Sequence, residues 1–257
     1  MSFKFVYLLG SFFIKKCENL GRFFLFVFQV FSVFFQGLPR YSLILKQIYV
    51  IAVLSLPVVL ITGAFTGMVI TIQSYAQLHM FSLEVAIPPI VGLAMTRELG
   101  PVLTALMLAG RAGAAITAEI GTMRVTEQID ALVSLATNPL RYLVLPRVLA
   151  CVLFIPILTI FSIFIGILSG YLLSVYGLGF PRIFFISNIQ QYVEVYDILS
   201  GLTKTFVFGL IIGLVSCYKG FFTKKGAEGV GVAVMQTVVL ASISILIADF
   251  FLSLMLF

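Results

Sequence analysis

Apolar residues form five runs of more than 20 residues, each long enough to cross the hydrocarbon core of a bilayer as a helix. The predicted spans cover residues of about 48–73, 88–114, 148–176, 198–218 and 231–257. Backbone groups inside lipid must hydrogen-bond within their own segment, which makes such runs helical. The strands of a membrane barrel would alternate apolar and polar residues instead. The pattern therefore predicts an all-α, polytopic membrane protein.

A further apolar stretch, 23–38, is shorter than the five spans and ends before Arg40. If this stretch crossed the membrane, the basic residues before it would lie on the side opposite Arg40 and Lys46. A helix in the cytoplasmic interface, with its basic residues at the head groups, is the simpler interpretation. We therefore divide the chain into an N-terminal interfacial helix region, 1–47, and a five-span domain, 48–257.

The composition supports a membrane protein and excludes a soluble enzyme or a disordered chain. Hydrophobic residues make up 61% of the 257 residues and charged residues 10%, against about 25% charged in soluble domains. The net charge of +6 arises mainly from basic residues between the apolar runs, which indicates a cytoplasmic face rather than a nucleic-acid partner. These residues are Lys15, Lys16, Arg22, Arg40, Lys46, Arg124, Arg141, Arg147, Lys219, Lys224 and Lys225. Because the outer loops carry only Arg182, we expect the N-terminus inside and, after five spans, the C-terminus outside.

Four charged residues lie deep inside the predicted spans, at similar depth in the outer half of the membrane. They are Arg97 and Glu98 in the second span, Lys204 in the fourth and Asp249 in the fifth. An unpaired charge at a helix centre costs at least ~2.5 kcal/mol, so we predict that these four charges form a mutual network. Pro101, whose ring displaces the carbonyl of Arg97, should loosen the helix at this point. Two interpretations stay open: a substrate pathway and a purely structural ionic clasp.

Small residues recur four positions apart within the spans. The pairs are Gly63 and Gly67, Gly166 and Gly170, and Gly209 and Gly213. Glycines at this spacing let two helix backbones approach closely. We interpret the three pairs as packing sites inside a helix bundle.

The inner loop 115–147 carries an amphipathic pattern. Apolar residues recur on two helical faces with charged residues between them, over about 117–137, and Asn138–Pro139 ends the pattern. We predict one cytoplasmic helix in this loop. Such a helix could receive a soluble partner or rest on the lipid head groups, and the pattern by itself favours neither.

The chain carries no motif of an enzyme. It lacks the GxxxxGK[ST] phosphate-binding loop and the HExxH zinc motif, and its only histidine, His79, lies in a short outer loop. The three cysteines are an odd number and far apart in sequence, so we expect neither a disulfide framework nor a metal site. One further function class stays open, an ion-coupled carrier or proton channel in which Glu98 and Asp249 relay protons.

The second span and the inner loop together carry a long family signature. Residues 96–132, TRELGPVLTALMLAGRAGAAITAEIGTMRVTEQIDAL, resemble the signature of the MlaE/YrbE permease family. The similarity continues through Asn138-Pro139-Leu140-Arg141 and Leu145-Pro146-Arg147. The chain length, the interfacial N-terminal helix and the five spans also fit, so the resemblance covers nearly the whole chain.

The resemblance implies the membrane permease subunit of an ABC transporter that moves phospholipid between the inner and outer membranes of a bacterium. It implies a homodimer in the inner membrane, with a separate cytoplasmic ABC ATPase that binds ATP and magnesium. This chain would then be a transport subunit without a cofactor of its own. The resemblance further implies a periplasmic MCE-domain protein, a small STAS-domain subunit and a lipid substrate as partners.

The resemblance also assigns roles to residues. The inner loop would be a coupling helix that docks into the ATPase through Glu119, Gly121, Thr122, Met123, Arg124, Glu127, Gln128, Asp130 and Leu132. A lipid cavity would open outward near Ile70, Gln73, Tyr75, Gln77, Leu78, Arg97, Glu98 and Leu99. The charges inside the membrane fall at that level, which favours the pathway interpretation.

Overall fold

The computed structural model of the chain describes residues 2–37, 41–224 and 226–256, and this part of the chain contains helices and no strand. The α-helices are α1 (Ser2–Phe35), α2 (Tyr41–Ile51), α3 (Leu56–Leu78), α4 (Ile87–Ala94), α5 (Gly100–Leu108), α6 (Ala114–Val125), α7 (Gln128–Ser134), α8 (Leu145–Leu172), α9 (Arg182–Tyr192), α10 (Val195–Phe221) and α11 (Gly226–Leu256). The prediction of an all-α, polytopic membrane protein is confirmed.

Within the described residues, six helical segments are long and apolar enough to cross a membrane, judged by length and composition alone. They are Cys17–Phe35, Tyr41–Phe81, Glu84–Val125, Leu140–Gly177, Val195–Phe221 and Gly226–Leu256. The last five contain the five predicted spans, and the first contains most of the stretch predicted to lie in the interface. Length and composition do not separate a spanning helix from an interfacial one, so the interfacial position stays a prediction.

The boundary drawn between residues 47 and 48 falls inside a helix. Helix α2 runs from Tyr41 to Ile51, and a single 3₁₀ turn, Val53–Ser55, connects it to α3. The hydrophobic pattern placed the boundary after Tyr41, where α2 begins, because Lys46 and Gln47 interrupt the apolar run. Gln47 is nevertheless buried in the folded chain.

Helix α8 lies at the centre of the bundle, packed between α3 and α10, with α2 beside it. Helix α11 packs against α10 and α6, and α9 packs against α4. The predicted glycine pairs occupy the two central crossings. A Cβ atom on Gly67 would lie 1.9 Å from the carbonyl oxygen of Gly166, and one on Gly209 would lie 2.8 Å from the carbonyl oxygen of Cys151. These glycines therefore allow backbone-to-backbone contact, as the packing interpretation requires.

The second span is not a regular α-helix. Two π-helical turns interrupt it, Met95–Leu99 between α4 and α5 and Ala109–Gly113 between α5 and α6. The first turn ends two residues before Pro101, so the loosening expected from this proline takes the form of a π-turn. Such turns occur frequently at functional sites because they shift side chains out of helical register.

The basic residues predicted to mark the inner face have different environments. Arg40, Lys225 and the side chains of Lys15 and Lys16 lie outside the described residues. The side chain of Arg147 is buried in the bundle and forms an ion pair of 2.8 Å with Glu119.

We predict that Gly67→Ala destabilises the protein, because the added methyl group would overlap the backbone of α8. Overpacking of this kind costs about 1–3 kcal/mol, which should lower the thermal unfolding midpoint in mild detergent by several degrees. The matched control is Gly110→Ala, since a Cβ there has no heavy atom within 4 Å. An equal loss in both variants would contradict the close α3–α8 contact.

Candidate functional site

Three of the four predicted intramembrane charges meet around one buried ammonium group. The Nζ atom of Lys204 on α10 lies 2.8 Å from Oε2 of Glu98 and 3.1 Å from Oδ1 of Asp249 on α11. It also donates to the Ser253 hydroxyl at 2.7 Å and to the Arg97 carbonyl at 3.0 Å. The Lys204 side chain is 0% exposed, whereas that of Glu98 is 42% exposed. We call these four residues, Glu98, Lys204, Asp249 and Ser253, the lysine cluster.

Local sequence explains why Lys204 finds a backbone partner at this depth. Pro101 has no N–H to donate to the carbonyl four residues before it, which is the carbonyl of Arg97. The ammonium group of Lys204 donates to that carbonyl instead. On the opposite side, a Cβ on Gly201 would lie 2.1 Å from the carbonyl oxygen of Thr96, so glycine allows α10 to approach the π-turn. Proline and glycine together bring the lysine within reach of Glu98.

The lysine cluster contains one ammonium group and two carboxylates. Burying an ammonium group costs several kcal/mol unless ion pairs and hydrogen bonds compensate it, and Lys204 has both. With both carboxylates ionised, the cluster would carry a net charge of −1. The exposed part of that charge lies on Glu98, since Asp249 is only 18% exposed.

Arg97 pairs with a residue that the sequence interpretation did not include. Its Nη2 atom lies 2.6 Å from Oδ1 of Asp197, and its Nε donates to the same oxygen at 2.7 Å. Asp197 is 2% exposed in its side chain and also accepts from the backbone N–H of Glu194 at 2.9 Å. Thus the predicted network of four charges is divided, with the Arg97 guanidinium bound to Asp197 and the other three residues in the lysine cluster.

The sequence analysis did not identify Asp197, because the fourth span was predicted to start at about 198. That boundary placed Asp197 in an outer loop. Helix α10 begins at Val195, and Glu194 and Asp197 form a reciprocal cap at its start. An acidic residue at the third position of a helix is a known N-terminal signal, and it could have identified Asp197 as part of the span.

Arg97 and Glu98 form the accessible part of the site. Their side chains are 37% and 42% exposed, respectively, and each is bound to a nearly fully buried partner of opposite charge. The site therefore presents one positive and one negative group next to each other, held by Asp197 and Lys204. This arrangement can bind a polar group within an otherwise apolar bundle.

The remaining predicted pathway residues belong to the C-terminal half of α3, apart from Leu99 in the π-turn. Gln73 and Gln77 are exposed, and Ile70, Tyr75, Leu78 and Leu99 are half-buried. The ring of Tyr75 stacks on His79 at 4.8 Å between centroids. Helix α3 packs against both α4 and α5, the two helices that flank the π-turn of Arg97 and Glu98.

The inner loop forms two helices, so the prediction of one helix over 117–137 is wrong. Residues 117–125 continue α6 from the second span, and Glu127 then adopts a left-handed backbone conformation with φ of 60°. Helix α7 follows and ends at Ser134. An ion pair of 2.6 Å between Arg124 and Asp130 closes the turn. The amphipathic pattern concealed this break because its two apolar faces belong to two separate helices.

The predicted coupling residues have distinct environments on these two helices. Thr122, Glu127, Gln128 and Asp130 are exposed, whereas Met123, Arg124 and Leu132 are half-buried. Ile129, at 1% exposed, anchors α7 to the bundle. Gly121 is buried beside Thr223 and Val230, and Glu119 binds the buried Arg147. The exposed residues thus form a polar surface, which Ile129 and the ion pair of Glu119 with Arg147 attach to the bundle.

A bundle of long apolar helices that enclose ion-paired charges defines a polytopic membrane protein. Comparison with known families specifies which one. The model of the family described as Permease MlaE matches residues 44–255, and the chain belongs to this family of ABC transporter permeases.

Curated relatives from distant organisms cover almost the whole chain. A probable ABC transporter permease protein of Rickettsia prowazekii is 46% identical over 250 residues, which are 97% of this chain and 96% of the relative. The intermembrane phospholipid transport system permease protein MlaE of Haemophilus influenzae is 39% identical over 258 residues, covering 100% and 99% of the two chains. A probable ABC transporter permease protein of Synechocystis is 42% identical over 229 residues, covering 89% and 87%.

We predict that Arg97→Met is more harmful than Arg97→Met combined with Asp197→Asn. The single change leaves a buried carboxylate without its cation and should cost about 2–3 kcal/mol, less than the 3–5 of a fully buried pair because Arg97 is partly exposed. The double variant should lose about 1 kcal/mol. Thermal unfolding of both variants in detergent measures the difference, and a double variant at least as unstable as the single one would contradict the pairing.

Proposed function

We propose that this permease is the membrane subunit of an ABC transporter that moves phospholipid between the inner and outer membranes. The observation that carries the proposal is the accessible pair of opposite charges, Arg97 and Glu98, at depth in the bundle. A phospholipid head group has an anionic phosphate and, in zwitterionic lipids, a cationic amine, and this pair complements both. The likeness to the Haemophilus protein, over the full length of both chains, supports the same substrate.

The proposed lipid path begins at the outer end of α3. Ile70, Leu78 and Leu99 would contact acyl chains, while Gln73, Tyr75 and Gln77 would contact polar parts of the lipid. This assignment is supported by the half-buried or exposed state of all six side chains and by the packing of α3 beside the π-turn. The buried partners Asp197 and Lys204 would hold Arg97 and Glu98 in position without touching the lipid.

The proposed coupling surface lies on α7 and on the turn that precedes it. Its exposed polar side chains can bind a cytoplasmic ATPase, which would hold ATP and magnesium and supply the energy. The buried Ile129 and the pairing of Glu119 with Arg147 support a transmission role, because each connects the inner segment rigidly to the bundle.

The proposed assembly is a homodimer in the inner membrane, with a periplasmic MCE-domain protein and a small STAS-domain subunit as further partners. Its proposed orientation has the N-terminus in the cytoplasm and the C-terminus in the periplasm. The distribution of basic residues supports this orientation, since Lys46 precedes the first predicted span, and Arg124 and Lys224 follow the second and the fourth, all at ends predicted to lie inside.

We predict that transport depends on ATP and not on a proton gradient. The complex reconstituted in vesicles with fluorescent phospholipid should transfer lipid to an acceptor when ATP and the ATPase are present. A pH gradient without ATP should have no effect. Transfer driven by the pH gradient alone would instead favour the ion-coupled carrier, with Glu98 and Asp249 as proton relays.

We predict that Glu127→Lys combined with Asp130→Lys releases the ATPase, because the charge of the coupling surface is inverted. Co-purification of the ATPase with the permease should fall at least tenfold, while the thermal unfolding midpoint of the permease stays within a few degrees. The matched control, Glu18→Lys with Glu84→Lys, changes two acidic residues outside the coupling surface and should retain the ATPase. Full retention by the first variant would refute the coupling role.

A further inference from the structure

A cavity of about 700 Å³ opens where α1, the C-terminal end of α10 and the N-terminal end of α11 meet. It lies far from the lysine cluster, because Lys219 at its edge is fifteen residues beyond Lys204 on α10, or about 22 Å at 1.5 Å per residue. Thr223 in its wall lies beside Gly121 of α6. The cavity is therefore at the end of the bundle that carries the coupling surface.

The polar part of the cavity is predominantly positive. Three basic residues line it: Arg22 on α1, Lys219 on α10, and Lys224 between α10 and α11. Glu228 is the acidic residue of the lining, and Arg22 also binds Glu18. Lys219 donates to Gln236 at 2.9 Å, which orients its ammonium group beside the cavity. Even with both carboxylates counted, the basic groups are in excess, so the cavity favours an anion.

The remaining wall of the cavity is apolar and aromatic. The rings of Tyr218 and Phe222 lie 5.0 Å apart between centroids, and Val232 and Ala233 of α11 face the same space. The Tyr218 hydroxyl donates to the carbonyl of Asn19, which fixes α1 against α10. A soluble anion would gain nothing from this wall, whereas a molecule with both an anionic head and a hydrocarbon body would match both surfaces.

We propose that this cavity binds the head group of an anionic phospholipid from the adjacent leaflet, as a resident lipid separate from any transported one. The phosphate would lie between Lys219, Lys224 and Arg22, and the glycerol backbone and upper acyl chains would lie along Phe222 and Val232. Basic pockets between membrane helices on the cytoplasmic side bind phosphate head groups in this manner. The proposal is independent of the transport function, because it concerns neither the lysine cluster nor Arg97.

The test uses the full-length protein, purified in detergent as it assembles in the cell. Native mass spectrometry would count bound lipids after micelles are supplemented with phosphatidylglycerol or, separately, with phosphatidylcholine. We expect retained phosphatidylglycerol and little phosphatidylcholine. Lys219→Gln combined with Lys224→Gln should lower phosphatidylglycerol retention at least fivefold. The control, Lys46→Gln combined with Arg182→Gln, removes the same charge elsewhere and should leave retention unchanged.

Further variants distinguish a resident lipid from general surface charge and from a soluble phosphate ligand. Lys219→Arg with Lys224→Arg should retain the lipid. Val232→Trp, which keeps every charge but places an indole ring where the acyl chains would lie, should weaken retention. Thermal unfolding of each variant shows whether the fold is intact. An equal loss in the pocket and control variants would overturn the proposal in favour of general surface charge. Displacement of the lipid by millimolar glycerol phosphate, at constant ionic strength, would overturn it in favour of a soluble phosphate ligand.

Discussion

Helices inside a bilayer gain little by burying apolar side chains against each other, because lipid tails are equally apolar. Association then depends on close backbone contact and on polar groups that have no partner in lipid. Helix α8 provides the close contact, since Gly67 and Gly166 let α3 and α8 touch, and Gly209 lets α10 reach the backbone at Cys151. Polar groups supply the second kind of contact: hydrogen bonds between Thr117, Ser216 and Thr237 hold α6, α10 and α11 together.

This close packing is what makes the charged site possible. Because α10 lies directly on the π-turn of the second span, Lys204 can reach the Arg97 carbonyl and Glu98 at once. The same approach places Asp197 beside Arg97. The charges then strengthen the contact, since separating α10 from this turn would strand a buried ammonium group and a buried carboxylate. The accessible groups, Arg97 and Glu98, are therefore fixed by residues that are not themselves accessible.

One run of helix, interrupted by two π-turns, carries both regions for which we propose a function. The segment Glu84–Val125 contains Arg97 and Glu98 in its first half, ends with α6, and leads directly into the turn of the proposed coupling surface. Arg111 in the second π-turn donates to the Ser55 hydroxyl and the Val50 carbonyl, where α2 ends. The charged site, the proposed coupling surface and the start of the first span are thus connected through one continuous element.

The sequence by itself determined the helical class and the positions of the long apolar segments, because apolar length is a local property of the chain. Its family signature also indicated the correct family. The tertiary structure decided which charges meet: Asp197 rather than Glu98 binds the Arg97 guanidinium, and Arg147 is buried against Glu119. It also decided that the inner loop is two helices with a left-handed residue between them. The pairing of Arg97 with Asp197 joins residues a hundred positions apart, and that of Arg147 with Glu119 joins two helices, so no local pattern predicts either contact.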